Sequence, residues 1–463
     1  MPMQPIKLFN TLTRTKEDFT PMIPGKVGIY TCGPTVYHDV HIGNLRTFLF
    51  EDFLKRMFEL NGYEVNHVMN ITDVGHLVGD GDVGEDKVAK TAKENGQTAW
   101  DVAEHYTKLF LKDVNDLAIE PPTTLCKATD HIKEQIALIQ ELEAKGFTYK
   151  TKDGIYYDTK KFEKYGALGG QKAEDKRGGA RVDLGEKHSH TDFALWKFST
   201  KGEKRQMEWE SPWGKGFPGW HIECSAMAMK YLGPTFDIHA GGMDLAPVHH
   251  ENEIAQAEAA TDKPFVHYWL HGEFLLLDEK KMSKSVKNIF TLNDLVVNCA
   301  EPLAYRLFAM SAHYRSKLNF TYEALRASAN ALRGLRATLR EWDAPADHGC
   351  EEFEKRFIER LNDDLDMPGA LAVMWEMVRD EKQPSAAKAK SILMMDRVFG
   401  LSLAKFIGAK IEVPETIQVL VDEREKARTN KDWIRSDELR LEIELAGFEI
   451  EDTATGPKLR SDH

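Results

Sequence analysis

An α/β fold with a parallel sheet is what this 463-residue chain predicts, and three observations predict it. Short apolar runs at 26–31 and 63–71 flank a stretch of helical periodicity, giving the order strand, turn, helix, strand. Another apolar run at 236–239 stops at Gly241-Gly242 and precedes helical residues 249–260, so the unit recurs after a long interruption. Past Leu292 the pattern turns helical, with Leu325, Leu332, Leu335 and Leu339 spaced among charged residues.

The first strand, 26–31, is broken by Cys32-Gly33-Pro34. After His41-Ile42-Gly43-Asn44, residues Leu45, Phe48, Leu49, Asp52, Phe53 and Arg56 follow at spacings of three and four, which predicts a helix. Residues 63–71 form the second strand and end at Thr72-Asp73. Ligands of a parallel sheet gather at the carboxyl ends of its strands, so Cys32 and Thr72 are expected to face one crevice. From 117 to 213 the pattern is interrupted. Pro121-Pro122 opens this segment, a helix is predicted at 132–145, and 169–190 reads as loop-rich and charged. We read it as an insertion. The sheet resumes at 236–239, and an apolar run at 266–277 leads into a lysine-rich loop. Residues 357–378 are amphipathic, and Pro414 marks a boundary before helices at 417–427 and 433–446 and a strand and turn at 447–452. The division is 1–116, 117–213, 214–291, 292–412 and 413–463.

With 42% hydrophobic and 29% charged residues, the chain has an ordinary globular composition. No apolar run approaches the ~20 residues of a membrane span, and Met1-Pro2-Met3-Gln4 opens no secretory pattern. A cytoplasmic protein without a membrane partner is expected. A net charge of −13 excludes indiscriminate coating of nucleic acid, while a local basic patch can still serve a specific RNA. The five cysteines (Cys32, Cys126, Cys224, Cys299 and Cys350) are scattered and odd in number, which points to free thiols or metal ligands rather than disulfides.

Lys281-Met282-Ser283-Lys284-Ser285 puts lysines on a loop, and His41-Ile42-Gly43-Asn44 puts a glycine turn at a helix start. Cations and N–H donors of this kind suit a departing phosphate group. Cys32 and Cys224 fall at a predicted crevice edge and a helix start, and His249 and Glu253, four residues apart, share a helix face. Taken alone, the cysteines are as readily buried apolar side chains, and His249-His250 a polar helix start.

The lysine loop and the His-Ile-Gly-x tetrapeptide together resemble the two-part signature of class I aminoacyl-tRNA synthetases. Cys32-Gly33-Pro34-Thr35-Val36-Tyr37, Asn70-Ile71-Thr72-Asp73, Pro218-Gly219-Trp220-His221-Ile222-Glu223-Cys224-Ser225 and His249-His250-Glu251-Asn252-Glu253 resemble segments of cysteinyl-tRNA synthetases, and the likeness runs from about Leu8 to the C-terminus. It implies a Rossmann-like catalytic domain split by a connective insertion, then a helical bundle and an anticodon-binding module. It implies ATP-dependent activation of cysteine to cysteinyl-adenylate with release of pyrophosphate, then transfer to the 3′ end of tRNA-Cys.

By the same resemblance one Zn2+ is held by Cys32, Cys224, His249 and Glu253 and selects a thiol over the hydroxyl of serine, while Mg2+ accompanies ATP. His41, Asn44, Lys281 and Lys284 are the implied catalytic residues, and Gly43, Gly241, Gly242, Asp244 and Lys284 the ATP-binding ones. Cys32, Gly33, Thr72 and Trp220 would border the cysteine substrate. Arg428, Trp433, Asp437 and Asp452 would read the anticodon by stacking and by hydrogen bonds to base edges. A monomer is expected.

The chain departs from the family pattern at three places. Asn44 stands for the second histidine of the signature and cannot become cationic. Ala246-Pro247-Val248 replaces an aromatic-proline pair ahead of the two histidines, and Lys287 replaces a glycine after the lysine loop. Three rival readings compete. A mycothiol-pathway cysteine ligase would lack a module such as 414–460, and a zinc hydrolase would need histidine where Ile254 stands. A non-catalytic tRNA-binding paralogue would have no need of the lysines and the four ligands.

Overall fold

In a computed structural model of the chain, the described residues are 5–75, 86–169, 186–199, 205–277, 280–281, 289–298, 301–410, 413–446, 448–453 and 456–461. Five parallel strands form the central sheet: β1 (Lys26–Thr31), β2 (Glu64–Ile71), β3 (Thr124–Lys127), β4 (Phe236–Gly242) and β5 (Val266–Gly272). Their spatial order is β5-β4-β1-β2-β3, so the chain reverses direction between β1 and β4. That reversal opens a crevice at the carboxyl ends, where a parallel sheet takes its ligands.

Helix α1 (Ile42–Leu60) covers the sheet, and nearly all of its surface is buried. Its start is a reciprocal cap: the Asn44 backbone N–H donates to His41 Nδ1 at 3.1 Å, and the His41 N–H donates to Asn44 Oδ1 at 3.3 Å. The tetrapeptide therefore builds the helix terminus as well as carrying polar side chains. Helix α2 (Trp220–Leu232) starts after Gly219, where a Cβ would sit 1.9 Å from the Ala194 carbonyl oxygen, so no larger residue fits. Residues Ala246–His250 form one wide helical turn that runs into α3 (Glu251–Thr261). The expected helix over 249–260 thus has its first residues in the wide turn, with Pro247 at its beginning, where a missing N–H costs nothing.

One expectation needs correction. The segment from 117 was assigned to the insertion, yet β3 pairs in parallel with β2 and is an edge strand of the central sheet. A four-residue strand has too short a period to announce itself beside Pro121-Pro122. The apolar run 266–277, which leads toward the lysine loop as expected, holds two strands. It divides at Glu273-Phe274 into β5 and a second segment, β6 (Leu275–Leu277), which pairs with β7 (Lys280–Lys281) and with Leu318–Phe320 in another sheet. The loop-rich stretch expected at 169–190 falls largely outside the described residues, and ordered strands lie on either side of it. Four antiparallel strands, Thr148–Lys150, Gly154–Tyr157, Phe193–Phe198 and Gly216–Pro218, deliver the chain to Gly219-Trp220.

A helical region follows, including α4 (Pro302–Ala309) and Tyr322–Arg340, which buries Leu325, Leu332, Leu335 and Leu339 as the spacing predicts. Its core is continuous with the face of the central sheet that α1 covers. The C-terminal module has its own small core around Ile417, Val421, Ile443, Phe448 and Ile450. No helix among the described residues is long and apolar enough to cross a membrane.

The buried face under α1 carries a pH dependence. Burial, with Lys55 nearby, lowers the pKa of His67 from 6.5 to about 3, and its Nε2 lies 2.9 Å from Thr31 Oγ1. Between those values the unfolded chain holds a proton that the folded one rejects, so stability from this group is full above pH 6.5 and falls as pH drops toward 3. The expected slope is up to about 1.4 kcal/mol per pH unit. Replacing His67 with glutamine should flatten denaturant-unfolding midpoints measured between pH 7 and pH 5. An unchanged slope would assign the acid sensitivity elsewhere.

Candidate active site and metal centre

Cys32 and Thr72 follow directly on β1 and β2, and the two strand ends are stitched together. The Thr72 N–H donates to the Pro34 carbonyl at 3.0 Å, and the Gly33 N–H donates to Asn70 Oδ1 at 2.9 Å. A Cβ at Gly33 would meet the Asn70 carbonyl oxygen at 1.7 Å, so the close approach depends on glycine there. The Asn70 amide also donates to Thr72 Oγ1 at 3.0 Å. The expected shared crevice is present, with Cys32 half-buried at its floor.

Three side chains from three elements converge on Cys32. Helix α2 supplies Cys224, whose Sγ is 3.9 Å from Cys32 Sγ. His249 Nε2 is 3.4 Å from Cys224 Sγ and 3.1 Å from Glu253 Oε1, and that oxygen is 3.9 Å from Cys32 Sγ. One ligand atom from each of Cys32, Cys224, His249 and Glu253 lies within 4.8 Å of all the others. Two sulfurs, an imidazole and a carboxylate are a donor set suited to zinc. The residues fit a metal chemically and sterically.

The electrostatics agree with that fit. The Cys32 thiol lowers Cys224 to about 6 by hydrogen bonding, while burial holds Cys32 itself well above the usual thiol range. Burial alone would lower His249, but the Cys224 and Glu253 anions outweigh it and bring the ring to about 10. Burial would likewise raise Glu253, yet His239 and His249 bring it down to about 2. A cation entering this quartet displaces protons from His249 and Cys32, so its affinity should rise with pH.

Sequence reasoning missed the imidazoles around the quartet. His239 Nε2 is 3.1 Å from Glu253 Oε2, His221 Nδ1 is 3.0 Å from His249 Nδ1, and His250 Nε2 is 3.4 Å from Cys32 Sγ. His271 Nε2 in turn lies 2.7 Å from His250 Nδ1. Outer partners of this kind fix the tautomer and orientation of the inner ligands. Cys32, His239, His250 and Glu253 form a second quartet of close donors. Six histidines between 221 and 271 were the available signal, but they are spread over four elements and nothing local joins those elements.

The other expected site residues lie on several elements. Trp220, at the first position of α2, packs its ring 4.4 Å from that of His249 and stays half-exposed. Gly241 and Gly242 end β4, and a Cβ at Gly241 would crowd His250 at 2.9 Å. Asp244 is exposed in the turn after them, and Gly43 lies in the first turn of α1. The backbone of Lys281 belongs to β7, while Lys284 and Lys287 lie outside the described residues. Far along the chain, Trp433 is 57% exposed, and the Arg428 guanidinium sits 6.0 Å from its ring. Asp437 is exposed nearby in sequence. Asp452 is engaged by Arg424 at 2.9 Å and by Arg428 at 2.8 Å, so its carboxylate also holds the module together.

A family model described as tRNA synthetases class I (C) catalytic domain matches residues 18–330. Cysteine–tRNA ligase 1 of Burkholderia lata is 49% identical over 458 residues, covering 98% of this chain and 97% of that protein. The cysteine–tRNA ligase of Treponema denticola is 42% identical over 482 residues, covering 97% and 98%. Among solved structures, Mycobacterium tuberculosis methionyl-tRNA synthetase bound by methionyl-adenylate superposes with a TM-score of 0.57 at 14% identity, covering 82% of this chain and 93% of that one. At that identity the likeness speaks for the fold.

Proposed function

Because the chain belongs to the cysteine–tRNA ligases, with a class I tRNA synthetase catalytic domain, we propose that Cys32, Cys224, His249 and Glu253 hold a zinc ion at which the substrate cysteine is chosen. The chain is an aminoacyl-tRNA ligase, and its reaction is the ATP-dependent charging of tRNA-Cys with cysteine. The observation that carries the zinc reading is the convergence of the four ligand atoms within 4.8 Å at the crevice floor. Bound there, zinc would supply affinity for a thiolate, which serine's hydroxyl cannot match near neutral pH.

The chain's own residues do the rest. Gly33, Thr72 and Trp220 border the amino acid and hold its carboxylate toward the nucleotide. That carboxylate attacks the α-phosphorus of ATP, the bond to the β-phosphate oxygen breaks, and pyrophosphate leaves with its electrons. His41, Asn44 and the N-terminus of α1 offer donors to the phosphates, and Asn44 supplies them through an amide without a charge. Lys281 and Lys284 neutralise the leaving pyrophosphate, and Mg2+ arriving with ATP would add positive charge at the phosphates. Gly43, Gly241 and Gly242 let the nucleotide approach the backbone, and Asp244 takes its ribose or the amino acid's ammonium. The terminal ribose hydroxyl of tRNA-Cys then attacks the mixed anhydride and releases AMP. Arg428, Trp433, Asp437 and Asp452 read the anticodon, an assignment supported by the exposed indole beside a guanidinium. A cytoplasmic monomer completes the reading.

ATP–pyrophosphate exchange tests it. On zinc-replete protein, exchange is expected with cysteine and not with serine or without amino acid. Folded, zinc-bearing protein that shows no cysteine-dependent exchange would overturn the proposed site.

A further inference from the structure

Arg46 sits on α1 two residues beyond Asn44, buried, and its guanidinium is spent on backbone carbonyls. Nη1 donates to the carbonyls of Glu273 at 2.7 Å and Phe274 at 2.8 Å. Nη2 donates to those of His313 at 3.2 Å and Ser316 at 2.5 Å. Glu273 and Phe274 lead directly into the β6–β7 hairpin that carries Lys281. On the far side of the lysine loop, the Ile42 N–H donates to the Phe290 carbonyl at 2.8 Å. The Ile42 carbonyl in turn accepts from the Tyr305 hydroxyl at 2.6 Å. The start of α1 thus grips both ends of the segment that bears the lysines.

We infer that Arg46 is a positioning residue for adenylate formation: it locks the chain entering the lysine hairpin, at Glu273 and Phe274, to the helix start that holds His41 and Asn44, so β6 leaves the helix start from a fixed place. A folding role alone would be met by any group that fills the space. What the geometry uses is a planar fork whose two nitrogens reach four carbonyls on two separate stretches of chain, around 273–274 and 313–316. A lysine ammonium in the same place keeps the charge but is a single point and cannot span them. The inference rests on the lysine loop acting at the pyrophosphate, as proposed above.

The experiment is ATP–pyrophosphate exchange by the full-length, zinc-loaded Arg46→Lys variant, measured at a temperature where melting curves show it folded. The kcat for exchange is expected to fall about 10²-fold, the scale on which small misplacements act. KM for cysteine and zinc content should stay at wild-type values, because the cysteine pocket is built by other side chains. A merely structural residue would lower the melting temperature without this split. If kcat stays within about twofold of wild type, or cysteine KM and zinc content change as much as kcat, the inference is wrong. Should Arg46→Lys not fold, Tyr305→Phe removes the brace at Ile42 with little change of shape. It is then expected to lower kcat with cysteine KM unchanged, and an unaltered kcat would overturn the inference equally. Wild-type protein inactive in exchange defeats the lysine-loop reading itself, whereas active wild type matched by its variants defeats only the role of Arg46.

Discussion

Replacing Cys224 with serine is expected to strip the metal centre and abolish cysteine-dependent ATP–pyrophosphate exchange while leaving the fold intact. Cys224 is buried on α2, with its sulfur 3.9 Å from Cys32 and 3.4 Å from His249. Serine fits the same space, but its hydroxyl stays protonated where the thiol, lowered to about 6, is already ionised near neutral pH. The loss of a direct ligand should exceed the ~10–100-fold in metal affinity that the loss of an outer partner costs. Zinc per chain after dialysis against a chelator is the primary readout, with circular dichroism to show the fold unchanged. If the serine variant retained one zinc per chain and full exchange activity, the ion would have to sit in the neighbouring quartet of Cys32, His239, His250 and Glu253, which does not use Cys224.

The second large effect concerns stability. Arg306 on α4 is fully buried, with Nη2 2.5 Å from Asp52 on α1 and Nη1 2.9 Å from the Leu117 carbonyl. Its Nε donates to the carbonyl of Phe399, so one guanidinium ties the signature helix, the stretch leading to β3 and the helical region. Arg306→Met should lower unfolding free energy by about 3–5 kcal/mol, since the partner carboxylate and several carbonyls are left behind in a dry interior. Arg56, 2.8 Å from the same Asp52 oxygen, still shields part of that charge and keeps the cost from rising further. Equilibrium unfolding in denaturant measures the change. A loss below about 1 kcal/mol would mean that water reaches the site on mutation and that the network is not dry.

Both effects come from residues whose importance is unequal in the sequence. Cys224 stands in a segment that could be singled out by resemblance and that reads as a helix start. Arg306 is one arginine among many, and nothing nearby in the chain says that it is buried. Its partners lie 254 residues away at Asp52 and 189 residues away at Leu117. Likewise the His41-Ile42-Gly43-Asn44 turn was recognisable, whereas Arg46, two residues on, looked like an ordinary polar position on an amphipathic helix.

The misplaced boundary at 117 has a related cause. A run of apolar residues reports burial and says little about which sheet buries it. Residues 266–277 are apolar throughout apart from a few positions, yet β5 joins the central sheet and β6 leaves it for another. Residues 124–127 alternate too briefly to be read as a strand, and it is the exposed edge of β2 that makes them one.

Resemblance alone named the four donors; the amino-acid sequence by itself determined the α/β character, the helix start at the signature tetrapeptide and the helical region beyond 292. These depend on local periodicity, on glycine and proline conformations, and on the chemistry of single side chains, all carried within a few neighbouring residues. Only the tertiary structure decided that Cys32 meets Cys224 across 192 positions, that four further histidines close around the quartet, and that Arg46 clasps the chain on its way to the lysines. Contacts of that range follow from strand order and from how each loop closes, and a buried charge finds its partner through the packing of whole elements, which no local pattern encodes.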